Sequence, residues 1–124
     1  MNADLTIDTL TFKQSFSDKD GSLRVETSRG VNLQERLRIK HRPYTDSRTK
    51  RPGTESVIQL ERDQALADGS IASAILAQFK VSALVDTGVT SSDVLAAAQR
   101  IISVLQEDDS GLDLMDEIFV NKEQ

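Results

Sequence analysis

Arg36-Leu37-Arg38-Ile39-Lys40-His41-Arg42 alternates strictly between cationic and mostly apolar side chains over seven residues. Successive side chains of an extended chain point to opposite faces. The stretch therefore predicts a β-strand with Arg36, Arg38, Lys40 and Arg42 on one face and Leu37, Ile39 and His41 on the other. The apolar side needs a core beneath it. Four like charges along the other side repel one another unless something negative lies across them, and a phosphate backbone would serve. A solvated edge strand guarded by its charge would show the same pattern.

Upstream, Leu5, Ile7, Leu10 and Phe12 recur near period two, which predicts a strand that is irregular around Asp8 and Thr9. Ser17-Asp18-Lys19-Asp20-Gly21 has turn chemistry, and Leu23 and Val25 then alternate with Arg24 and Glu26, giving an N-terminal hairpin. After a break at Ser28-Arg29-Gly30, Leu33 to Arg42 reads as one long strand that Pro43 closes by removing a backbone donor.

Downstream, Tyr44 to Thr54 has no apolar periodicity and reads as a polar loop of about a dozen residues. It carries Arg48, Lys50 and Arg51 beside the basic strand. Glu55 to Asp63 alternates again, with Ile58 and Leu60 opposite Val57, Gln59 and Glu61, and Ala65 to Ser70 is a turn. Ile71 to Val85 reads as a strand throughout. Phe79, Val81, Ala83 and Val85 share one face and Gln78, Lys80, Ser82 and Leu84 the other, although Ala72 to Gln78 alone would also suit a helix.

Thr90-x-x-Asp93 is a capping-box pattern placed directly before an apolar stripe at helical spacing, Val94, Leu95, Ala98, Ile101, Ile102 and Leu105. Glu107-Asp108-Asp109 ends that helix. Ser110-x-x-Asp113 predicts a second, shorter one with Leu112, Met115, Ile118 and Phe119 on its stripe. The expected fold class is α+β: an antiparallel β-sheet, made of the N-terminal hairpin and a central meander, followed by two C-terminal helices packed on one face. Residues 1–124 are expected to form one domain, with 1–85 as the sheet region and 90–120 as the helical region. Four Phe, one Tyr and no Trp make a thin core, so a second copy is expected to complete it as a homodimer.

Composition narrows function. The net charge is −5, but it is unevenly spread. Arg36 to Arg51 holds seven basic residues (Arg36, Arg38, Lys40, Arg42, Arg48, Lys50, Arg51) against Asp46, whereas Leu105 to Gln124 holds seven acids (Glu107, Asp108, Asp109, Asp113, Asp116, Glu117, Glu123) against Lys122. A basic face for polyanions can thus hide behind an acidic total. The absence of cysteine excludes disulfides, thiolate metal sites and thiol nucleophiles, and a single histidine removes most zinc and triad arrangements. No metal or cofactor is expected. His41 falls on an apolar face, the pairs Asp108/Asp109 and Asp116/Glu117 suit helix ends, and no glycine-rich phosphate loop or nucleophile elbow occurs, so the sequence predicts no enzyme. No apolar run approaches a membrane span and Met1-Asn2-Ala3-Asp4 lacks the features of a signal peptide, which predicts a soluble intracellular product.

The basic strand Arg36 to Arg42, the return Ser56 to Leu60, and the strand Phe79 to Val85 running into Thr90-Ser91-Ser92-Asp93-Val94-Leu95 resemble, in layout, the coat proteins of single-stranded RNA bacteriophages of the levivirus type. The resemblance covers essentially the whole chain, without one diagnostic motif. It implies an intertwined homodimer with a continuous sheet, helices on its outer face, assembly into a small icosahedral capsid, and a virion location after synthesis in the bacterial host cytoplasm. It also implies that the inner sheet face meets genomic RNA, or an RNA hairpin whose binding represses replicase translation. The RNA-binding residues would be Arg36, Arg38, Lys40 and Arg42, Gln59 of the next strand, and Gln78, Lys80 and Ser82 of the third. Val57 and Glu61 share that face. The family stacks a base on an aromatic ring of the third strand; Gln78, Lys80 and Ser82 offer none, which favours general RNA binding over hairpin reading. A non-assembling dimeric RNA-binding regulator would share the basic face. No membrane and no small-molecule substrate are expected as partners.

Overall fold

The computed structural model describes Met1, residues 3–106, 108–109, 112–113, 115–120 and Lys122; of 108–109, 112–113 and 117 it describes the backbone. The chain divides into two compact units, Met1–Val85 and Asp86–Gln124. The first is a six-stranded antiparallel meander in which every strand lies beside its sequence neighbours: β1 (Leu5–Ile7), β2 (Leu10–Ser17), β3 (Gly21–Glu26), β4 (Glu35–Thr45), β5 (Pro52–Ala65) and β6 (Ile71–Leu84).

The irregularity around Asp8 and Thr9 is a complete reversal. Both residues have positive φ, 51° and 67°, and Ile7 pairs with Leu10 across them. A two-residue loop with both members left-handed suits the twist of a hairpin. What read as one strand is therefore β1 and β2. In β2, Gln14 pairs with Arg24 but Phe16 pairs with Leu23, so Ser15 is a one-residue bulge.

β4 passes through Pro43, contrary to the expected stop, with Pro43 opposite Thr54. β3 ends opposite Lys40, so at Pro43 the strand has a partner on one side only, where a missing N–H is tolerated. The expected long loop shrinks accordingly to a turn over residues 46–51, closed by Asp46 N–H to Arg51 O at 2.9 Å and Lys50 N–H to Asp46 O at 2.8 Å. Thr49 donates to Asp46 through its amide and its hydroxyl, which holds the Asp46 carboxyl below its ordinary pKa.

The buried apolar core among the described residues is small: Phe12 and Leu37, 3% and 6% exposed. Phe12 lies with Leu37 and Leu60 around a cavity of about 160 Å³. Charges are buried beside it. Leu23 pairs with Arg38 and Arg24 with Leu37, so the alternation of β3 runs opposite to the usual reading of such a pattern: Leu23 and Val25 share the cationic face, while Arg24 and Glu26 go under the sheet. The Arg24 Nε donates to Ala3 O at 2.8 Å, and Glu26 accepts the Ser28 amide at 2.7 Å. On the same side Ile58 is 46% exposed.

In the second unit, α1 spans Ser91–Gln106. Its capping box is reciprocal: the Asp93 amide donates to Thr90 Oγ at 3.2 Å, and the Thr90 amide donates to the Asp93 carboxylate at 3.0 Å. None of the helix side chains is buried, and Leu95 and Ile101 of the apolar stripe are 69% and 51% exposed. The expected second helix is not found in that form. Backbone pairing joins β7 (Asp108–Asp109) to β8 (Leu112–Asp113), and among the described residues a π-helical turn, Asp116–Val120, follows. The backbone at 108–109 and 112–113 is thus extended where the second helix is expected to begin. The expected cap Ser110 lies outside the described residues. No described helix is long and apolar enough to cross a membrane.

Candidate nucleic-acid interface

Register brings the expected site together. Residues opposite each other in antiparallel strands share a face. Across β4, β5 and β6 the rows read Arg36, Glu61, Leu76; Arg38, Gln59, Gln78; Lys40, Val57, Lys80; and Arg42, Glu55, Ser82. All eight expected RNA-binding residues, Arg36, Arg38, Lys40, Arg42, Gln59, Gln78, Lys80 and Ser82, therefore lie on one face. Lys40, Arg42, Gln78, Lys80 and Ser82 are exposed there. A depression of about 270 Å³ is lined by Lys40, Arg42, Glu55, Gln59, Gln78 and Lys80. At its base Gln59 Nε2 donates to Gln78 Oε1 at 2.6 Å.

The cations are not equivalent, because carboxylates are interleaved among them. Arg36 donates to both oxygens of Asp63, at 3.0 and 2.7 Å, and lies 3.5 Å from Glu61. Hydrogen bonding and charge from Arg36 hold the Asp63 carboxyl below its ordinary value, and Asp63 in turn raises the Arg36 pKa. At the other end Arg42 Nε and Nη2 reach Glu55 at 2.9 and 3.2 Å, and Lys80 Nζ reaches it at 3.2 Å. Glu55 is 5% exposed, and its pKa is lowered, first by the Arg42 hydrogen bonds. Between these clamps, Arg38 has one longer contact, Nε to Glu61 at 3.5 Å, and Lys40 has no ion pair among the described residues. Five cations (Arg36, Arg38, Lys40, Arg42, Lys80) against three carboxylates (Glu55, Glu61, Asp63) leave the face positive, with its least committed charge at Arg38 and Lys40.

No family model and no curated protein sequence matches the chain. Solved structures do. The virus-like particle of bacteriophage AVE015 matches with a TM-score of 0.57 and 17% identity, over 80% of this chain and 69% of that one. The bacteriophage EMS014 coat protein matches with a TM-score of 0.59 and 17% identity, over 88% of this chain and 72% of that one. The chain has the fold of a bacteriophage coat protein.

At this identity the coat-protein fold supplies the scaffold, and the chemistry of the face has to come from its own residues. Sequence reasoning missed several of them. Glu55 and Asp63 sit at the ends of a strand read for its apolar positions, and their parity with Glu61 or closeness to Arg36 shows only once the register is known. Tyr44 continues the Arg36-to-Arg42 parity and lies opposite Gly53. That was readable had the strand been carried past Pro43. His41 is on the opposite face as expected, but exposed, with Nδ1 2.9 Å from Ser56 Oγ. Arg48 and Arg51 are exposed on the 46–51 turn, Arg48 lying 3.9 Å from Asp46. Among the described residues no cluster could hold a metal ion.

Proposed function

We propose that this chain is the coat protein of a single-stranded RNA bacteriophage, a structural subunit and not an enzyme, whose cationic sheet face lines the inside of a shell and holds genomic RNA. The observation that carries the reading is the Arg38–Lys40 centre of that face, set on a coat-protein fold and left without a strong carboxylate partner. Phosphates would complete what Glu55, Glu61 and Asp63 leave uncompensated.

The shell begins with a homodimer. β6 is the last strand of the sheet and, among the described residues, pairs with β5 alone, and an edge of its 14 residues is a template for pairing. A second β6 laid antiparallel would make one continuous sheet. The exposed underside around Ile58 and the exposed stripe of α1 would then be covered by interlocking copies, with the helices outside and the cations inside. Residues 1–124 act as one functional domain in this arrangement. Repression of replicase translation through an RNA hairpin has less support, since β6 presents no ring to stack a base at Gln78, Lys80 or Ser82.

The test is size exclusion and negative-stain microscopy of the recombinant protein, with the ultraviolet absorbance ratio of the leading peak. Round particles carrying nucleic acid are expected. A free dimer that binds RNA under every assembly condition would instead indicate a non-assembling regulator. A dimer indifferent to RNA would make the basic row a solvated strand.

A further inference from the structure

The bulge at Ser15 moves one aromatic side chain to the other side of the sheet. Phe12 and Gln14 face the buried side, where Gln14 stands opposite Arg24. Without the extra residue Phe16 would follow them. With it, Phe16 pairs with Leu23, and Leu23 with Arg38, so Phe16 joins the cationic face. There it is 54% exposed. A bulge that re-aims a large apolar side chain into solvent beside a row of cations needs a reason, since burial with Phe12 was available.

Phe16 forms one wall of a groove of about 410 Å³ whose other lining includes Leu23, Arg38, Lys40, Arg42 and Asp20. The ring and Leu23 make that wall apolar, and the rim along β4 is cationic. Asp18 turns inward on its own turn, accepting the Asp20 and Gly21 amides at 2.8 and 3.0 Å. Asp20 lines the Arg42 end of the groove, its carbonyl oxygen accepting the His41 amide at 2.8 Å.

We infer that this groove is a nucleobase site for single-stranded RNA: one base stacks on the Phe16 ring while its flanking phosphates run along Arg38, Lys40 and Arg42. Aromatic walls beside cationic tracks are how single strands are held, because every base has a π-face and every linkage a charge. A purely apolar partner would leave Lys40 without a counter-charge and Arg38 with only its 3.5 Å contact to Glu61, whereas a nucleotide satisfies wall and rim together. The inference deepens the RNA-binding reading and rests on it. It also places the stacking ring on the N-terminal hairpin and not on the central strands.

The test compares two short single-stranded oligonucleotides with equal numbers of phosphates, one bearing cytosines and one abasic, by fluorescence anisotropy. The wild-type protein is expected to prefer the cytosine strand. Phe16→Ala should lower affinity for that strand about tenfold, the effect of removing one stacking ring, and leave the abasic strand and the salt dependence unchanged. Phe16→Leu keeps an apolar side chain and the fold, and should lose the same preference. The chain contains no tryptophan, so Phe16→Trp introduces a single indole that the cytosine strand should quench and the abasic strand should not. Equal losses on both strands, or indole changes that follow self-association without RNA, overturn the inference, the latter giving the groove to a second copy. If the wild type binds both strands alike and Phe16→Ala has no effect, the base site alone falls. If it binds neither, the RNA reading falls with it.

Discussion

The Glu55 carboxylate takes two hydrogen bonds from the Arg42 guanidinium across the β4–β5 pair, at 2.9 and 3.2 Å, and so occupies the donors a phosphate would use. Glu55→Gln should release Arg42 and Lys80. RNA affinity should rise several-fold at moderate salt, and the slope of log affinity against log salt should steepen by about 0.7 for each cation recruited. Anisotropy titrations across a salt series measure this, and an unchanged slope would show that the carboxylate does not compete.

Arg38→Ala with Lys40→Ala removes the two least committed cations. Affinity for RNA should fall and the salt slope flatten by about 1.4, with dimerisation intact, because neither side chain carries a clamp. Arg36→Ala should behave differently. It leaves Asp63 without its bidentate partner, so the melting temperature should drop by several degrees while RNA affinity changes less. Equal effects from both substitutions would contradict this division of labour.

Acid should loosen the sheet. Asp63 and Glu55 have folded pKa values below their ordinary 3.8 and 4.5, through Arg36 and Arg42 respectively. Their stabilisation is therefore complete above those ordinary values and is lost as pH falls through the depressed folded ones. Denaturant midpoints should be flat from neutrality down to about pH 5 and decline below it. Arg36→Ala should shrink the decline, since the Asp63 contribution is then already gone.

Thr90→Ala breaks one arm of the capping box at the start of α1 and should cost about 1 kcal/mol, with Thr90→Ser restoring most of it. Chemical denaturation followed by circular dichroism reads the difference, and an unaltered midpoint would mean that the second unit melts independently of its cap.

Ile58→Asp places a charge on the exposed underside of β5, where the lone chain tolerates it and a dimer does not. Particles should disappear while strand content persists. Normal shells from this variant would exclude the underside as the covered surface.

Much of this molecule was legible in the sequence because period-two alternation is strong in β4, β5 and β6, and because Thr90 and Asp93 announce α1 from local chemistry alone. What was hidden depends on long-range register. Asp8 and Thr9 adopt left-handed conformations that their side chains do not advertise, so two strands read as one irregular strand. Pro43 ends a central strand but not one whose neighbour has already stopped. The bulge at Ser15 has no local signature, and with it went the side of the sheet on which Phe16 lies. Arg24 and Glu26 look like surface positions until Leu37 is placed opposite Arg24.

Gly53 lies beneath the Tyr44 ring, and a β-carbon there would also come within 2.7 Å of the Ala83 carbonyl oxygen. Removing the tyrosine would therefore not open the position, because the neighbouring strand blocks it as well. Any side chain at 53 would require β5 and β6 to change spacing together. In chains so diverged that pairwise comparison fails, such a glycine becomes an alignment anchor. Distant kin of this protein that keep the same strand spacing should carry glycine at the equivalent point, whatever else they have replaced.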